Sequence, residues 1–520
     1  VIDLLRELKM TTVFGNPGST ELPFLDRWPA DFRYILGLQE ASVVGMADGY
    51  ARATGRAAIC NLHSAAGLGH ALGNVYNAYR NQTPLVIAAG QQSRSLLPLN
   101  PFLGATDAVS FPKPYVKWSC EPARGEDVPA AIVHAYHVAM QRPCGPTFVS
   151  IPFDDWSVRT RRVPVRAVNS DVAPDPDALD ALAHVLNEAQ RPVLVAGAEI
   201  DHDGAGESMV ALAERIGAPV WAAPFAGRVV FPEDHELFAG FLTASPEAVS
   251  KALSGHDVVL VIGAPVFTFH VPGECALFSS GARLFQITAD GEALAAAPAG
   301  SGILGSLRHA LPGLLKRLKT RERNPFSRKR ERPLPPQPDH PIKAEYLLHT
   351  LSRLMPEDAI AVEEAPVHRP AIQTHLPITR YGAFHTMASG GLGYSLPAAV
   401  GIALAEQHRR VICIIGDGSA MYSFQALWTA VQHKLPLTVI VLNNEGYGAL
   451  RSFGRILQIR GAPGMDLPGL DFVALAKGMG CDGRRVVKPE EIADVLSGAL
   501  QHAGPFLVDV AVESAVPNLY

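Results

Sequence analysis

Three consecutive α/β domains, each a parallel sheet doubly wound by helices, are predicted by this sequence on three grounds. Its 520 residues are too many for one hydrophobic core and suit about three domains. Short β-rich runs alternate with helical segments throughout, the pattern of parallel strands joined by crossover helices. Two stretches with few apolar residues, VAPDPDA (Val172–Ala178) and KTRERNPFSRKRERPLPPQPDHP (Lys319–Pro341), divide that alternation. The expected units are residues 1–170, a smaller central unit 175–318, an exposed linker 319–341 and a third unit 342–520.

In chain order, VIDLLRELK opens with Asp3, Arg6, Glu7 and Lys9 interrupting its apolar positions. That pattern predicts an amphipathic helix, not a signal peptide or membrane anchor. Strands follow at TTVFG, RYILG, AAICNLHS and TPLVIAAG, with a helix over ASVVGMADGYARATG. The central unit predicts strands at RPVLVAGAEI, GAPVWAAP, HDVVLVIGAPV and ARLFQITAD. The third predicts them at DAIAVEE, RVICIIGDG, PLTVIVLNN and FLVDVAV. No short-period repeat interrupts this plan.

Composition narrows the function. With 48% hydrophobic and 18% charged residues the chain is an ordinary globular protein. A net charge of −5 gives no global reason to expect nucleic acid or an anionic membrane, so a small ligand is the default partner. The basic linker reads as a solvated segment. Six scattered cysteines without a CxxC pair argue against a zinc site and a disulfide framework, and fit a reducing cytoplasm.

The chemistry is concentrated first in IIGDGSAMYS, where Asp417 follows the apolar run VICII between two glycines. A phosphate-binding GxxxxGK[ST] loop would need a lysine that is absent here, and a dinucleotide fingerprint would need a glycine where Met421 stands. An oxygen ligand at a strand's carboxyl end suits a diphosphate held through a hard divalent cation. A second strand, PLTVIVL, ends on Asn443 and Asn444 and offers further oxygens. Either motif alone is a common turn; together, at the ends of two strands, they are specific.

The GDGS…LNNEGYG arrangement resembles the cofactor motif of the thiamine diphosphate enzymes. The resemblance implies that Asp417, Asn444 and the carbonyl of Gly446 hold Mg²⁺, with Gly416, Gly418, Ser419, Tyr422 and Tyr447 around the diphosphate. That chemistry also demands a carboxylate that drives the cofactor's aminopyrimidine to its imino tautomer and so removes the thiazolium C2 proton. Glu40, opening the segment EASVVGMADGYARATG, resembles that residue. In SGGLGYSLPAAVGIALA, Leu392 resembles the residue wedged between the cofactor rings, and Gly390 a carbonyl acceptor. The resemblance covers the whole chain and implies pyrimidine-binding, central and diphosphate-binding domains. It further implies a homodimer as the minimum unit, commonly a tetramer, with each site shared between subunits.

Within that family the stretches FGNPGSTELPFL, NLHSAAG, AAGQQSR, VKWS, IPFDDW, HDVVLVIGAPVF, ALWTA and NNEGYGALR resemble the 2-oxo acid decarboxylases acting on aromatic acids. This implies that Ser19 orients a 2-oxo acid substrate and that His63 and His270 move protons, a task suited to imidazole. It implies an apolar pocket from Phe102, Leu103, Ala449, Leu450, Phe453 and Met465, with His70 as packing only. Three departures stand out. EEAPVHRP replaces a run of hydroxyl residues, so Pro366 and Val367 lose side-chain contacts and His368 is assigned to the diphosphate. Thr386 and Ser452 replace large aromatics and predict a wider pocket. These departures keep a carboligase or acetolactate synthase-like activity open; a non-catalytic protein binding through the basic linker is the alternative of another class.

Overall fold

The computed structural model describes residues 1–273, 281–320, 333–459, 461–515, 517 and 519; residues 321–332 of the expected linker, and Cys275, lie outside them. The first sheet contains β1 (Thr12–Gly15), β2 (Arg33–Leu36), β3 (Ala58–Leu62), β4 (Leu85–Gln91), β5 (Ser119–Cys120) and β6 (Pro146–Pro152), in the order β2-β1-β3-β4-β6-β5. The central sheet contains β7 (Pro192–Ala196), β8 (Val220–Ala222), β9 (Phe238–Phe241), β10 (Val258–Ile262), β11 (Arg283–Thr288) and β12 (Ser301–Leu304), in the order β12-β11-β10-β7-β8-β9. The third contains β13 (Ile360–Glu364), β14 (Phe384–Thr386), β15 (Val411–Gly416), β16 (Leu437–Asn443), β17 (Asp482–Val486) and β18 (Phe506–Ala511), in the order β14-β13-β15-β16-β18-β17. All pairings within the three sheets are parallel.

The outer sheets share one strand order, the first strand of each lying between its second and third. That repeat lies in topology, below any period visible in the sequence. The central sheet has the other doubly wound order, reversing at β7 and β10. Inner strands such as VVLVI of β10 are buried on both faces, which is why they read as unbroken apolar runs. The strands that composition missed are mostly edges: β5, β9, β12, β14 and β17 each have one neighbour. Six of the nine residues of β17 and β12 are exposed, Asp482, Arg484 and Ser301 among them, which leaves no apolar run to read. The sixth omission, β6, is wholly buried; its Thr147 satisfies its hydroxyl on the Leu85 and Ala135 carbonyls, so a polar residue sits inside a core strand.

The first and third domains meet through two helices, Glu40–Thr54 and Ser395–Ala405, and share one hydrophobic core. A Cβ on Gly401 would lie 1.9 Å from the Met46 carbonyl oxygen, and one on Gly49 would lie 2.1 Å from that of Ala398. Backbone therefore packs on backbone, and no side chain fits between. Arg52, on the same helix, donates to the Thr386 carbonyl at 2.9 Å, to Tyr394 Oη at 2.5 Å and to the Gly227 carbonyl at 2.6 Å. One buried guanidinium thus touches backbone of the central and third domains at once.

Substituting Gly401→Val is expected to destabilise the protein by about 2–3 kcal/mol through forced separation of these helices. Gly498→Ala, where an added Cβ meets nothing within 4 Å, serves as the contrast and should not lower stability. Thermal melts of the two variants beside the wild type make the comparison; equal melting temperatures for Gly401→Val and wild type would refute the packing account.

Candidate active site

A cavity of about 940 Å³ opens where the carboxyl ends of the third sheet face the central domain. Its floor is set by strand register. β15 and β16 pair Gly416 with Leu442, so Asp417 and Asn443 emerge at one level and Asn444 follows into the cavity. Asn443 is already committed: its Nδ2 donates to Asp509 Oδ1 at 3.0 Å and its Oδ1 accepts from the Glu445 N–H. Asn444 lines the cavity, as do Asp417, Gly446 and Ser419. The Asp417 carboxylate accepts the N–H of Gly418 at 2.8 Å and of Gly446 at 2.9 Å, which ties the two strand ends together. Burial raises its carboxyl above the ordinary range, against the pull of those amides. A carboxylate, an amide and a turn carbonyl form an oxygen donor set that fits a hard divalent cation, whose charge would also offset that burial.

Gly416, Gly418, Tyr422 and Tyr447 line the same wall, as do Gly390 and Leu392 from the loop after β14. Gly390 has φ +76°, with open space where a Cβ would stand. That loop is held by a residue the sequence reading passed over. Glu364, fully buried at the end of β13, accepts the N–H groups of Gly393 at 2.6 Å, Tyr394 at 2.8 Å and Ser395 at 2.6 Å. It caps the Ser395 helix, which has no cap of its own. Burial, outweighing these three donors, pushes its carboxyl up to about 7. The adjacent Glu363 accepts Arg369 at 2.6 Å, and Arg369 also donates to Thr386 Oγ1 at 2.9 Å.

Pro366, Val367 and His368 follow β13 into the cavity. His368 is buried, its Nε2 has no partner among the described residues, and burial brings its pKa down to about 4, so it is a neutral imidazole near neutral pH. An orphaned polar nitrogen on the cavity wall fits an anionic group placed there. The other end of the cavity is apolar. Ala449, Leu450 and Phe453 project from the helix Gly448–Ile456, and the Phe453 ring lies 4.8 Å edge-on to His270. Burial also lowers the pKa of His270.

Several expectations need correction. Ser452 does not widen the cavity, because it does not line it: it is fully buried and donates to the Pro517 carbonyl at 3.1 Å. Thr386 does line it, but is fixed by Arg369. Met465 packs beside the cavity, its carbonyl accepting the Tyr447 N–H at 2.9 Å, without lining it. Phe102, 86% exposed, and Leu103, also exposed, do not line their own chain's cavity; they stand on a first-domain loop whose Leu103 carbonyl accepts from the hydroxyl of Ser64, next to His63, and so belong with the first-domain group of Glu40, Ser19 and His63. His70 is not packing: it is 65% exposed and its Nδ1 lies 3.1 Å from Glu40 Oε2.

Glu40, Ser19 and His63 form a second group, on the first domain and off the cavity of their own chain. Glu40 sits in the first turn of its helix, whose N-terminus is capped by Gln39 accepting from the Ser42 N–H. Ser19 is exposed in the 3₁₀ turn Ser19–Glu21. His63 follows β3, at the start of the helix Ser64–Arg80, and packs against that turn, with Nδ1 2.9 Å from Glu21 Oε2 and 3.1 Å from Thr20 Oγ1. Glu21 was not among the expected site residues; a lone acid two positions after Ser19, running into LPFL, was the available signal.

Comparison with known proteins matches this geometry to a family. Residues 1–111, 179–314 and 368–510 match, respectively, the N-terminal TPP binding, central and C-terminal TPP binding domains of the thiamine pyrophosphate enzymes. The chain belongs to that family, and thiamine diphosphate is its cofactor. Among its relatives, benzoylformate decarboxylase of Pseudomonas aeruginosa is 42% identical, over 99% of this chain and 98% of that protein. A crystal structure of benzoylformate decarboxylase from Polynucleobacter necessarius superposes with TM-score 0.97 at 41% identity, covering 99% of this chain and 98% of that one. The 4-hydroxybenzoylformate decarboxylase of Rhodococcus jostii RHA1 gives 0.95 at 42%, with the same coverage.

The Glu364 cap has a pH consequence. A carboxyl held near 7 in the folded protein and near 4.5 when unfolded contributes stability that is present below about pH 4.5 and is lost as pH rises through about 7. The melting-temperature gap between wild type and Glu364→Gln is therefore expected to narrow from pH 5 to pH 8. A gap that widens over that interval would contradict the assignment.

Proposed function

We propose that this chain decarboxylates an aromatic 2-oxo acid, benzoylformate, to benzaldehyde and CO₂, consuming one proton. The observation that carries this reading is one cavity with an oxygen-rich, anion-accepting end and an apolar end flanked by His270. The full-length similarity to proteins described as benzoylformate and 4-hydroxybenzoylformate decarboxylases supports the substrate class.

Asp417, Asn444 and the Gly446 carbonyl would hold Mg²⁺ at the end of the cavity that takes the diphosphate. Ser419, the amides near Gly416 and Gly418, and the Nε2 of His368 complete that end, with Tyr422 and Tyr447 beside it. Thiamine diphosphate supplies, when bound, a carbon nucleophile and a sink for the electron pair released as CO₂ leaves. Leu392 and the Gly390 carbonyl set the cofactor's conformation. Ala449, Leu450 and Phe453 receive the aryl group, and His270 exchanges protons at the reacting carbon and oxygen.

Glu40, Ser19 and His63 belong to the same chemistry but lie off their own chain's cavity, so a second copy provides them. Leu99, Phe102, Phe111 and Tyr115 are exposed apolar side chains on the same domain and supply the surface such a copy would cover. A homodimer is then the catalytic unit, with a tetramer as a pair of such dimers. No helix among the described residues is long and apolar enough to cross a membrane. The free thiols of Cys60, Cys144 and Cys413 fit a cytoplasmic setting.

Purified protein with thiamine diphosphate and Mg²⁺ is expected to release CO₂ from benzoylformate and to lose that activity when the cation is chelated. Formation of acetolactate from pyruvate without benzoylformate turnover would favour the acetolactate synthase-like alternative instead. Sharing of the site is tested by mixing two variants, Glu40→Gln and Asp417→Asn, each expected to lose activity by about 10²-fold or more. Unfolding and reassembly together should restore a substantial fraction of activity, because one site of each mixed dimer is intact; no recovery would place Glu40 in its own chain's site.

A further inference from the structure

The turn that presents Ser19 hides a carboxylate. Glu21 is 0% exposed, and three groups reach it, all of them donors. The Gly18 N–H lies 2.8 Å from Oε2, His63 Nδ1 lies 2.9 Å from the same oxygen, and the Thr20 hydroxyl donates to Oε1 at 2.6 Å. Two glycines keep the space for this arrangement. A Cβ on Gly90 of β4 would fall 1.9 Å from Glu21 Oε1, and one on Gly18 would fall 2.2 Å from the His63 ring.

Capping the 3₁₀ turn accounts for the Gly18 contact alone. A cap of that kind works at a surface, with water on the other oxygen. Here the whole carboxylate is buried, and beside Thr20 and Gly18 it faces the imidazole of His63. An ionised carboxylate accepts and cannot donate, so Nδ1 of His63 must carry the hydrogen. In the neutral ring Nε2 is then the bare acceptor. When Nε2 takes a proton, the resulting imidazolium faces the carboxylate at 2.9 Å.

We infer that Glu21 is the positioning residue of His63: it fixes the Nδ1–H tautomer, stabilises the imidazolium, and leaves Nε2 as the atom that exchanges a proton with substrate. The inference rests on the reading of His63 as a proton-transfer group in decarboxylation. It also joins two functions in one turn, since the backbone that Glu21 caps is the backbone that carries Ser19. The logic is that of a buried acid orienting a catalytic histidine, reached here from a 3₁₀ turn beside the sheet.

The test is Glu21→Gln. A carboxamide oxygen in the place of Oε2 still accepts from Gly18 and His63, with the Thr20 hydroxyl turned to accept from the NH₂, so this variant removes the charge that stabilises the imidazolium, whereas Glu21→Leu removes the acceptors as well. In the holoenzyme with benzoylformate, kcat is expected to fall by about 10²-fold or more, while KM changes far less. Glu21→Asp, which keeps two acceptors, should recover part of the loss. In ¹⁵N-histidine-labelled protein without cofactor, the His63 resonances, assigned with His63→Gln, should report the Nδ1–H tautomer in wild type and the loss of that preference in Glu21→Leu, which has no acceptor for Nδ1–H. An Nε2–H tautomer in the wild-type protein overturns the inference, even if the variant fails to fold. So does a Glu21→Gln enzyme whose kcat stays within about twofold of wild type while His63→Ala is impaired. If His63→Ala itself keeps full activity, the catalytic reading of His63 fails, while the tautomer measurement still decides what Glu21 does to the ring.

Discussion

A buried guanidinium needs acceptors, and Arg52 finds them in parts of the chain hundreds of residues apart. Its two terminal nitrogens are answered by the Gly227 carbonyl of the central domain and by the Thr386 carbonyl and Tyr394 hydroxyl of the third. Tyr394 in turn donates to Asp48, one turn before Arg52 on the same helix, at 3.0 Å. Its Nε has no partner among the described residues, so the buried charge is held through these terminal contacts alone, and they tie the three domains into one relative placement. Thr386 and the loop leading to Leu392 are elements of the cavity wall, and their backbone is what Arg52 and Glu364 hold.

The close contact of the Glu40 and Ser395 helices extends the same constraint. Gly49 and Gly401 let main chain approach main chain, and the Ser395 helix is buried along its length as a result. At its N-terminus the amides of Gly393, Tyr394 and Ser395 have no local cap, and Glu364 crosses from β13 to accept them. One helix therefore couples the core between domains to the loop that shapes the cofactor site.

The two groups of functional residues differ in how they are held. Asp417 and Asn444 owe their positions to parallel strand register, which leaves little freedom. Ser19, His63 and Glu40 sit at a 3₁₀ turn and at two helix starts on the first domain, steadied by buried polar contacts. Carboxylates do that work repeatedly: Glu21 for His63, Glu363 for Arg369, Glu364 for three amides. Each is a buried acid next to its donors, arranged before any ligand arrives.

By itself the sequence determined the three-sheet plan, since parallel strands buried on both faces leave continuous apolar runs such as VVLVI and VICII. It determined the residues at the cavity's polar end as well, because strand-end motifs are contiguous in the chain. Five of the six edge strands escaped it, being short and in places exposed; β2 alone carried a run, RYILG, apolar enough to register. The tertiary structure alone decided what long-range contacts control: that His70 pairs with Glu40, that Ser452 does not line the cavity, that Phe102 stands exposed, and that Glu21 lies against His63. A side chain's partner across 30 or more positions is set by packing, and no local pattern of residues encodes it.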